Sequence, residues 1–197
     1  MTALARGLLV WLVLTPVCWS EEAGPAAQVT AFHGELLRAM QSGSDFAGRV
    51  DALAGPVAEF FDIETISRIS LGRTWKALDA ESRAEFFELL ERLIVATYAE
   101  RFDTFNGQVF HTLSAQVASR GWVVKTELER SNGERVTLDY YFRDNGVFNV
   151  VADGVSDLSL RRADYNSIVK AEGYPALLAY LRRNIAERAP SQETQGG

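Results

Sequence analysis

Cysteine is nearly missing from this chain, which has one Cys, two His and two Met among 197 residues. The cysteine, Cys18, lies in an N-terminal segment that we predict is removed. A chain without a cysteine pair cannot form an internal disulfide, so its stability must come from core packing. No cluster of His, Asp and Glu has the spacing of metal ligands, and we predict no metal site.

The motifs of common enzyme classes are also missing. There is no GxSxG elbow and no glycine loop that could cradle a phosphate. His33 lies in the apolar stripe of a predicted helix and His111 on the predicted inward face of a strand, where a lone histidine is more often a core residue. Glu127, Glu129 and Asp139 are predicted on the exposed face of a sheet, where carboxylates are normally solvated. We therefore predict no catalytic residue and no cofactor.

The chain also has no excess of positive charge. Its 20 Lys and Arg and 26 Asp and Glu give a net charge of -6. This charge argues against binding to nucleic acid and against tight electrostatic binding to anionic lipid headgroups. The longest apolar run, residues 7–17, is about eleven residues, too short to span a bilayer but typical of a secretory signal. We predict a signal peptide at 1–20, one domain at 21–189 and a disordered tail at 190–197. The alternative is a lipoprotein signal, in which Cys18 would be acylated.

Apolar residues are abundant: 47% of the chain is hydrophobic, with 11 Phe and 6 Tyr. Spacings of three and four residues predict four helices in the first half. These helices span residues 29–42, 46–61, 63–75 and 80–105. The second is expected to be kinked or broken at Gly55-Pro56, and Asp79 is the expected N-cap of the fourth. The apolar face of the fourth helix is wide enough to require two partners, either a sheet and other helices or a sheet and a ligand cavity.

From residue 109 the apolar period changes to two, which predicts strands. Four runs, beginning at Val109, Trp122, Val136 and Val147, are separated by turn signals that include Asn132-Gly133. One face of this sheet is apolar and the other charged, so it is covered on one side only. Helical spacing returns after residue 154. The predicted fold class is α+β, with N-terminal helices, a four-stranded antiparallel meander and C-terminal helices on one sheet face. Such a sheet can enclose an apolar cavity, although the composition fits a filled core equally well.

Short motifs in a fixed order carry a family resemblance. They are Phe61-Asp62, Leu71-Gly72-Arg73-Thr74-Trp75, Thr97-Tyr98 and Gly154-Val155-Ser156. Their order and spacing resemble the MlaC family, also called the toluene-tolerance family, over nearly the whole domain. The resemblance implies a soluble periplasmic lipid carrier with a cone-like α+β fold and acyl chains held between sheet and helices. It implies a phospholipid or related lipid as ligand, membrane-bound transporter components as partners, a monomeric chain, and neither metal nor cofactor.

One departure from the family pattern points to a branch. Leu160-Arg161 stands where the main branch has Asn-Tyr, and this variant looks like the hopanoid-associated HpnM branch. That likeness implies a polycyclic hopanoid or related lipid as cargo. It leaves open which lipid is carried, in which direction and between which partners.

A carrier of this kind needs an apolar lining. The residues expected to provide it are Leu71, Trp75, Phe86, Leu90, Leu93, Ile94, Tyr98, Val124, Leu138, Tyr140, Val150, Tyr165 and Ile168. For each of them an ordinary core role is the alternative. Arg73 and Arg162 are expected at the mouth, near a headgroup or a partner's acidic rim, or in a salt bridge at the strand-to-helix junction. Two rival functions remain: an enzyme on the same scaffold with His111 as base, and a scaffold of a membrane complex that carries no cargo.

Overall fold

The computed structural model describes residues 24–143 and 145–189. The predicted signal peptide, Cys18 and the predicted tail lie outside the described residues. The described part has an α+β fold with seven helices and five strands. The helices are α1 (Pro25–Gln41), α2 (Phe46–Phe60), α3 (Ile63–Leu71), α4 (Arg73–Ala77), α5 (Ala80–Arg101), α6 (Asp157–Glu172) and α7 (Tyr174–Arg188). The strands are β1 (Val109–Ala118), β2 (Gly121–Glu129), β3 (Arg135–Arg143), β4 (Gly146–Ala152) and β5 (Val155–Ser156).

Aspartate side chains begin three of the helices. Asp45, Asp62 and Asp79 precede α2, α3 and α5, and each carboxylate accepts a hydrogen bond from a backbone N–H three residues on, at 2.8, 2.9 and 2.7 Å respectively. Each bond satisfies one of the N–H groups that a helix leaves unpaired at its start. The predicted cap at Asp79 is confirmed.

The structure decides two points inside the predicted helices. Helix α2 is not broken at Gly55-Pro56, because it continues through Pro56. The alternative expectation, a kink at this point, stays a prediction. Proline removes one helical hydrogen bond, but burial of neighbouring apolar side chains on this face holds the helix together. The single helix expected over 63–75 is two helices, separated at Gly72, whose φ of +55° is left-handed backbone that favours glycine.

The sheet is an antiparallel meander in the order β1-β2-β3-β4-β5. The expected number of four strands is wrong by one, because β5 is only two residues long and too short to show a period. It follows a tight turn in which Asp153 and Gly154 both have positive φ, 47° and 80°. The Asp153 carboxylate fastens this turn by accepting the backbone N–H of Thr137 at 2.8 Å.

A β-bulge changes the orientation of β1. The pairing of β1 with β2 shifts between Thr112 and Ser114, so residues before and after the bulge alternate in opposite phase. His111 pairs with Glu127 and faces outward with it. The predicted inward position of His111 is therefore wrong, whereas Ala115, beyond the bulge, faces inward as expected.

The helices cover the inward face of the sheet in two tiers. Helices α1, α2, α3 and α6 contact the strands, and α5 packs behind them against α2, α3 and α7. Helix α7 rests on α5 and α6. The expectation that α5 must meet more than one partner is confirmed, but its main partners are helices and not the expected sheet. The outward face carries ion pairs, with Arg135 bonded to Glu127 and Glu129 and Lys125 near Asp139.

Backbone contacts join the helical layer to the sheet at the α2–α3 junction. The Asp62 N–H donates to the Val147 carbonyl at 2.9 Å, and Phe61 forms an isolated parallel bridge with Val147. A Cβ on Gly146 would lie 2.8 Å from the Phe60 carbonyl oxygen, so only glycine permits this approach. The Phe61-Asp62 motif therefore has a structural role at this junction.

Candidate functional site

A group of aromatic rings fills the space between α1, α2, α5 and the sheet. Phe32 of α1 stacks on Phe60 of α2 with centroids 4.1 Å apart, and its edge meets Phe61 at 5.6 Å. Tyr98 of α5 meets Phe32 at 5.3 Å and stacks along Phe102 at 5.8 Å. Edge-to-face and offset contacts of this kind stabilise an apolar interior beyond the area they bury. This part of the interior is therefore rich in aromatic rings, which pack among aliphatic side chains.

His33 is enclosed in the same interior. Its ring stacks on Phe110 at 3.9 Å, and its Nε2 shares a hydrogen bond of 2.9 Å with the Tyr140 hydroxyl. Burial lowers the pKa of His33 to about 4, because an imidazolium would lose its hydration there. Burial also raises the pKa of Tyr140 well above its usual value, and nearby Tyr98 adds to the effect. Both groups are neutral at pH 7, so the pair is a satisfied core contact, as the sequence predicted for His33.

A second group of rings lies between α4, α5, α6 and α7. Phe86 of α5 meets Trp75 at 6.5 Å and Tyr165 at 6.0 Å, both edge to face. Tyr165 in turn meets Tyr180 at 6.4 Å. Arg83 lies over the Trp75 ring, with its guanidinium 5.5 Å from the ring centroid. This group extends the apolar interior along α5 toward the start of that helix.

One charged residue projects into this interior. The side chain of Arg161 is 13% exposed, its Nε donates to Asp157 at 2.6 Å and its Nη1 donates to the Tyr165 hydroxyl at 3.2 Å. Burial alone would lower the pKa of Arg161, but Tyr165 and Asp157 raise it above its usual value. Burial raises the pKa of Tyr98, and the charge of Asp157 adds to this effect. A charged guanidinium and two neutral phenols therefore share the space between α5 and α6.

The structure brings all thirteen predicted lining residues into one hydrophobic core. Eight are buried: Leu71, Phe86, Leu90, Leu93, Ile94, Val124, Tyr140 and Tyr165. Five are partly buried and pack against that core: Trp75, Tyr98, Leu138, Val150 and Ile168. Three aromatic residues of the same core, Phe32, Phe60 and Phe110, were not among the predicted lining residues. For Phe32 the apolar stripe of α1 was a usable signal.

Two open grooves occur elsewhere on the surface. The first, about 420 Å³, lies between α1, α2 and the β3–β4 turn, and the second, about 460 Å³, lies between α2, α5 and α7. None of the thirteen residues lines either groove. The expected cone-like cavity is not seen there, since the candidate lining is packed as core.

The two arginines singled out in the sequence are both exposed. Arg73 begins α4 and Arg162 lies on the outer side of α6. Arg161, the neighbour of Arg162, is the one that faces inward. A signal for it was present, because Asp157, Arg161 and Tyr165 are spaced by four residues and therefore share one face of a helix.

Groups suited to catalysis or metal binding are sparse in the described residues. His111 lies 3.1 Å from Glu129, with 40% of its side chain exposed on the outward face of the sheet. No group of three or more His, Cys, Asp or Glu within the described ranges could hold a metal ion. Within those ranges no helix combines the length and the apolar character needed to cross a membrane.

The protein belongs to the α+β class. Its helices cover one face of an antiparallel sheet, and an apolar core rich in aromatic rings lies between them. The family profile described as MlaC protein matches residues 31–183. Because this match covers well over half of the sequence, the chain belongs to the MlaC family.

A solved structure has the same fold. It is described as the phospholipid-binding protein from Ralstonia solanacearum in complex with a phospholipid. The TM-score is 0.73 at 20% identity, and the match covers 85% of this chain and 99% of that one. The comparison with curated proteins gave no significant match.

Proposed function

We propose that this protein is a periplasmic lipid carrier, monomeric and without enzymatic activity. It holds the apolar part of a phospholipid or hopanoid-type lipid between sheet and helices and moves it between two membranes, together with membrane-bound transporter components. The observation that carries the proposal is membership of the MlaC family. A protein of the same fold that was solved with a phospholipid supports it.

The proposed binding region is the interior lined by the thirteen residues, with α5 and α6 on either side. Phe86 meets Trp75 and Tyr165 there edge to face, with ring centroids 6.5 and 6.0 Å apart. All three residues lie on helices, so their side chains can move without breaking the hydrogen bonds that pair the strands. Each methylene buried from the lipid contributes about 0.8 kcal/mol, so roughly ten methylenes supply about 8 kcal/mol toward separating them.

The polar end of the cargo has a candidate partner in Arg161. Leu160 is 53% exposed, so of the two residues that mark the branch only Arg161 reaches the interior. A guanidinium next to Tyr165 and Tyr98 can donate to the polar group of a lipid while apolar rings surround the rest. We propose that this residue favours a hopanoid-type cargo over a two-tailed phospholipid. Arg73 and Arg162, both exposed, are proposed as contacts to a partner.

The enzyme hypothesis depended on the orientation of one residue, His111. It required His111 to face the interior as a base, and His111 faces outward beside Glu129. His33 does face inward, but its Nε2 is hydrogen-bonded to Tyr140 and its ring is stacked on Phe110, so it is engaged as a core residue. The family and the solved relative also favour a lipid-binding role.

Mass spectrometry of lipid extracted from the natively purified protein tests the proposal. Expression in a hopanoid-producing host is expected to yield one lipid per protein, with hopanoid among the bound species. Protein without lipid would contradict the carrier function. Stoichiometric phospholipid without hopanoid would contradict only the cargo assignment.

Arg161→Tyr, which introduces the residue of the main branch, is expected to shift the bound species toward phospholipid. Arg162→Tyr is the matched control, because it makes the same change one position away on the exposed side of α6. An identical shift in both variants would show that the inward guanidinium does not select the cargo.

A further inference from the structure

Two large apolar side chains lie uncovered at the end of the β1–β2 hairpin. Val117 and Trp122 are directly opposite each other across the hairpin and are 74% and 39% exposed. They belong to the inward face of the sheet, but the helices do not reach this end, and residues 115–120 are all exposed. We call residues 117–122 the hairpin tip. An uncovered apolar pair on the side of the sheet that the helices cover elsewhere is a candidate contact surface.

The hairpin tip is held firmly in place. Gly121 has a φ of +123°, and a Cβ at this position would lie 1.9 Å from the Phe142 carbonyl oxygen. The backbone of β2 therefore approaches β3 as closely as glycine permits. Trp122 pairs with Phe142 in the same strand pair. The exposed Trp122 ring is thus presented on a fixed strand.

The charge around the hairpin tip is opposite to that of the whole chain. Residues 104–126 contain no Asp or Glu, and they include Arg120 and Lys125, in a chain with a net charge of -6. Arg120 lies exposed in the two-residue turn of the hairpin. Lys125 lies further up the strand, 3.6 Å from Asp139, which offsets part of its charge. Arg143, the last residue of β3, lies next to Gly121, but its guanidinium is stacked on Phe148, 4.4 Å from the ring centroid. An acid follows it in the sequence at position 144, which lies outside the described residues.

A protein strand added at the sheet edge is a less suitable occupant. In the described sheet, β1 is an edge strand with one side unpaired. The bulge between Thr112 and Ser114 interrupts the regular hydrogen-bonding pattern that an added strand requires. The side chains of the apolar pair also lie on the face of the sheet, whereas an added strand would bind to the backbone of its edge.

We propose that the hairpin tip docks reversibly on an anionic bilayer surface. Tryptophan is enriched where hydrocarbon meets headgroups, because its ring is apolar and its N–H can hydrogen-bond. In this arrangement Trp122 and Val117 enter the interface and Arg120 contacts lipid phosphates. The net negative charge of the remaining protein repels the same surface, so the contact stays local and short-lived. This docking does not depend on bound cargo.

Sedimentation of the exported, purified protein with vesicles tests the docking. Vesicles of phosphatidylglycerol and phosphatidylcholine in equal parts are compared with phosphatidylcholine alone. We expect binding to the mixed vesicles that weakens as salt is added, because screening acts over about 10 Å at 0.1 M. Arg120→Gln is expected to weaken binding about five-fold, Val117→Ser about five-fold, and Trp122→Ser about ten-fold.

Two exposed apolar residues outside the hairpin tip provide matched controls. Val155 and Leu160 are 52% and 53% exposed, and Val155→Ser and Leu160→Ser are expected to bind vesicles as the unchanged protein does. If Trp122→Ser does not fold, Val117→Ser still tests the proposal, because it changes the more exposed residue of the pair.

Equal vesicle binding by tip and control variants would overturn the proposal, as would an absence of binding at low salt. A self-association that Val117→Ser abolishes, without vesicle binding, would assign the hairpin tip to a second copy of the chain and also overturn it. The bound lipid of each variant is extracted in parallel. Vesicle binding by protein that holds no cargo would contradict the carrier function alone.

Discussion

Acidification is expected to destabilise this protein through one buried imidazole. Burial lowers the pKa of His33 from its ordinary value of 6.5 to about 4. Between these two values the unfolded chain binds a proton that the folded protein does not, so stability falls as pH falls. The contribution of neutral His33 is complete above pH 6.5 and is lost progressively toward pH 4. Each unit of pKa difference is worth about 1.36 kcal/mol, so the free energy of unfolding is expected to fall by about 3 kcal/mol between pH 6.5 and pH 4.

Urea unfolding at a series of pH values measures this loss, with His33→Gln as the comparison. Glutamine can still hydrogen-bond to the Tyr140 hydroxyl, which lies 2.9 Å from the imidazole, but it does not titrate. The free energy of unfolding of the variant is expected to be lower at neutral pH and flatter between pH 6.5 and 4. Subtracting the two curves removes the contribution of the carboxylates, which titrate in both proteins. Parallel curves would refute the reasoning, because they would mean that His33 has the same pKa in the folded and the unfolded state.

Two further substitutions test how the backbone is held. Gly121→Ala is expected to cost at least about 2 kcal/mol more than Gly133→Ala in urea unfolding: both glycines have positive φ, but only at Gly121 would a Cβ meet the Phe142 carbonyl. Equal losses would contradict this close approach. Asp62→Ala is expected to cost about 1–2 kcal/mol by removing the hydrogen bond from the Thr65 N–H, and Asp62→Asn, which keeps an accepting oxygen, should retain most of the stability. Equal losses in these two variants would mean that the cap does not stabilise α3.

Periodicity predicted most of the fold because the strands and helices are long and amphipathic. It failed where one residue changes the register. The bulge after Thr112 inverts the first half of β1, and this inversion alone places His111 outside. The break that was one of two expectations at Pro56 is also absent, because packing of α2 outweighs a local helix breaker. A two-residue strand such as β5 has no period to detect.

Periodicity also predicted part of the candidate site and missed part of it. Apolar residues on predicted inward faces were placed together in the core, because alternation and helical spacing specify a face. Alternation does not specify whether that core stays packed or opens around a ligand. Arg162 was expected at the mouth and Arg161 was not singled out as an inward residue, although its spacing from Asp157 and Tyr165 places it on their face of α6. The sequence can tell which of two adjacent arginines faces inward only through neighbours three or four residues away, which share a helical face with one of them.

Photo-crosslinking tests the location of the cargo most directly. A lipid with a photoreactive group near the end of its acyl chain is bound to the purified protein, activated with light and mapped by peptide mass spectrometry. Lipid held between sheet and helices is expected to label the inward residues of α5 and α6, among them Tyr98 and Tyr165, and the inward face of β3 at Tyr140. Labelling confined to the open groove between α1 and α2, at Gln28 or Pro56, would contradict an interior binding site.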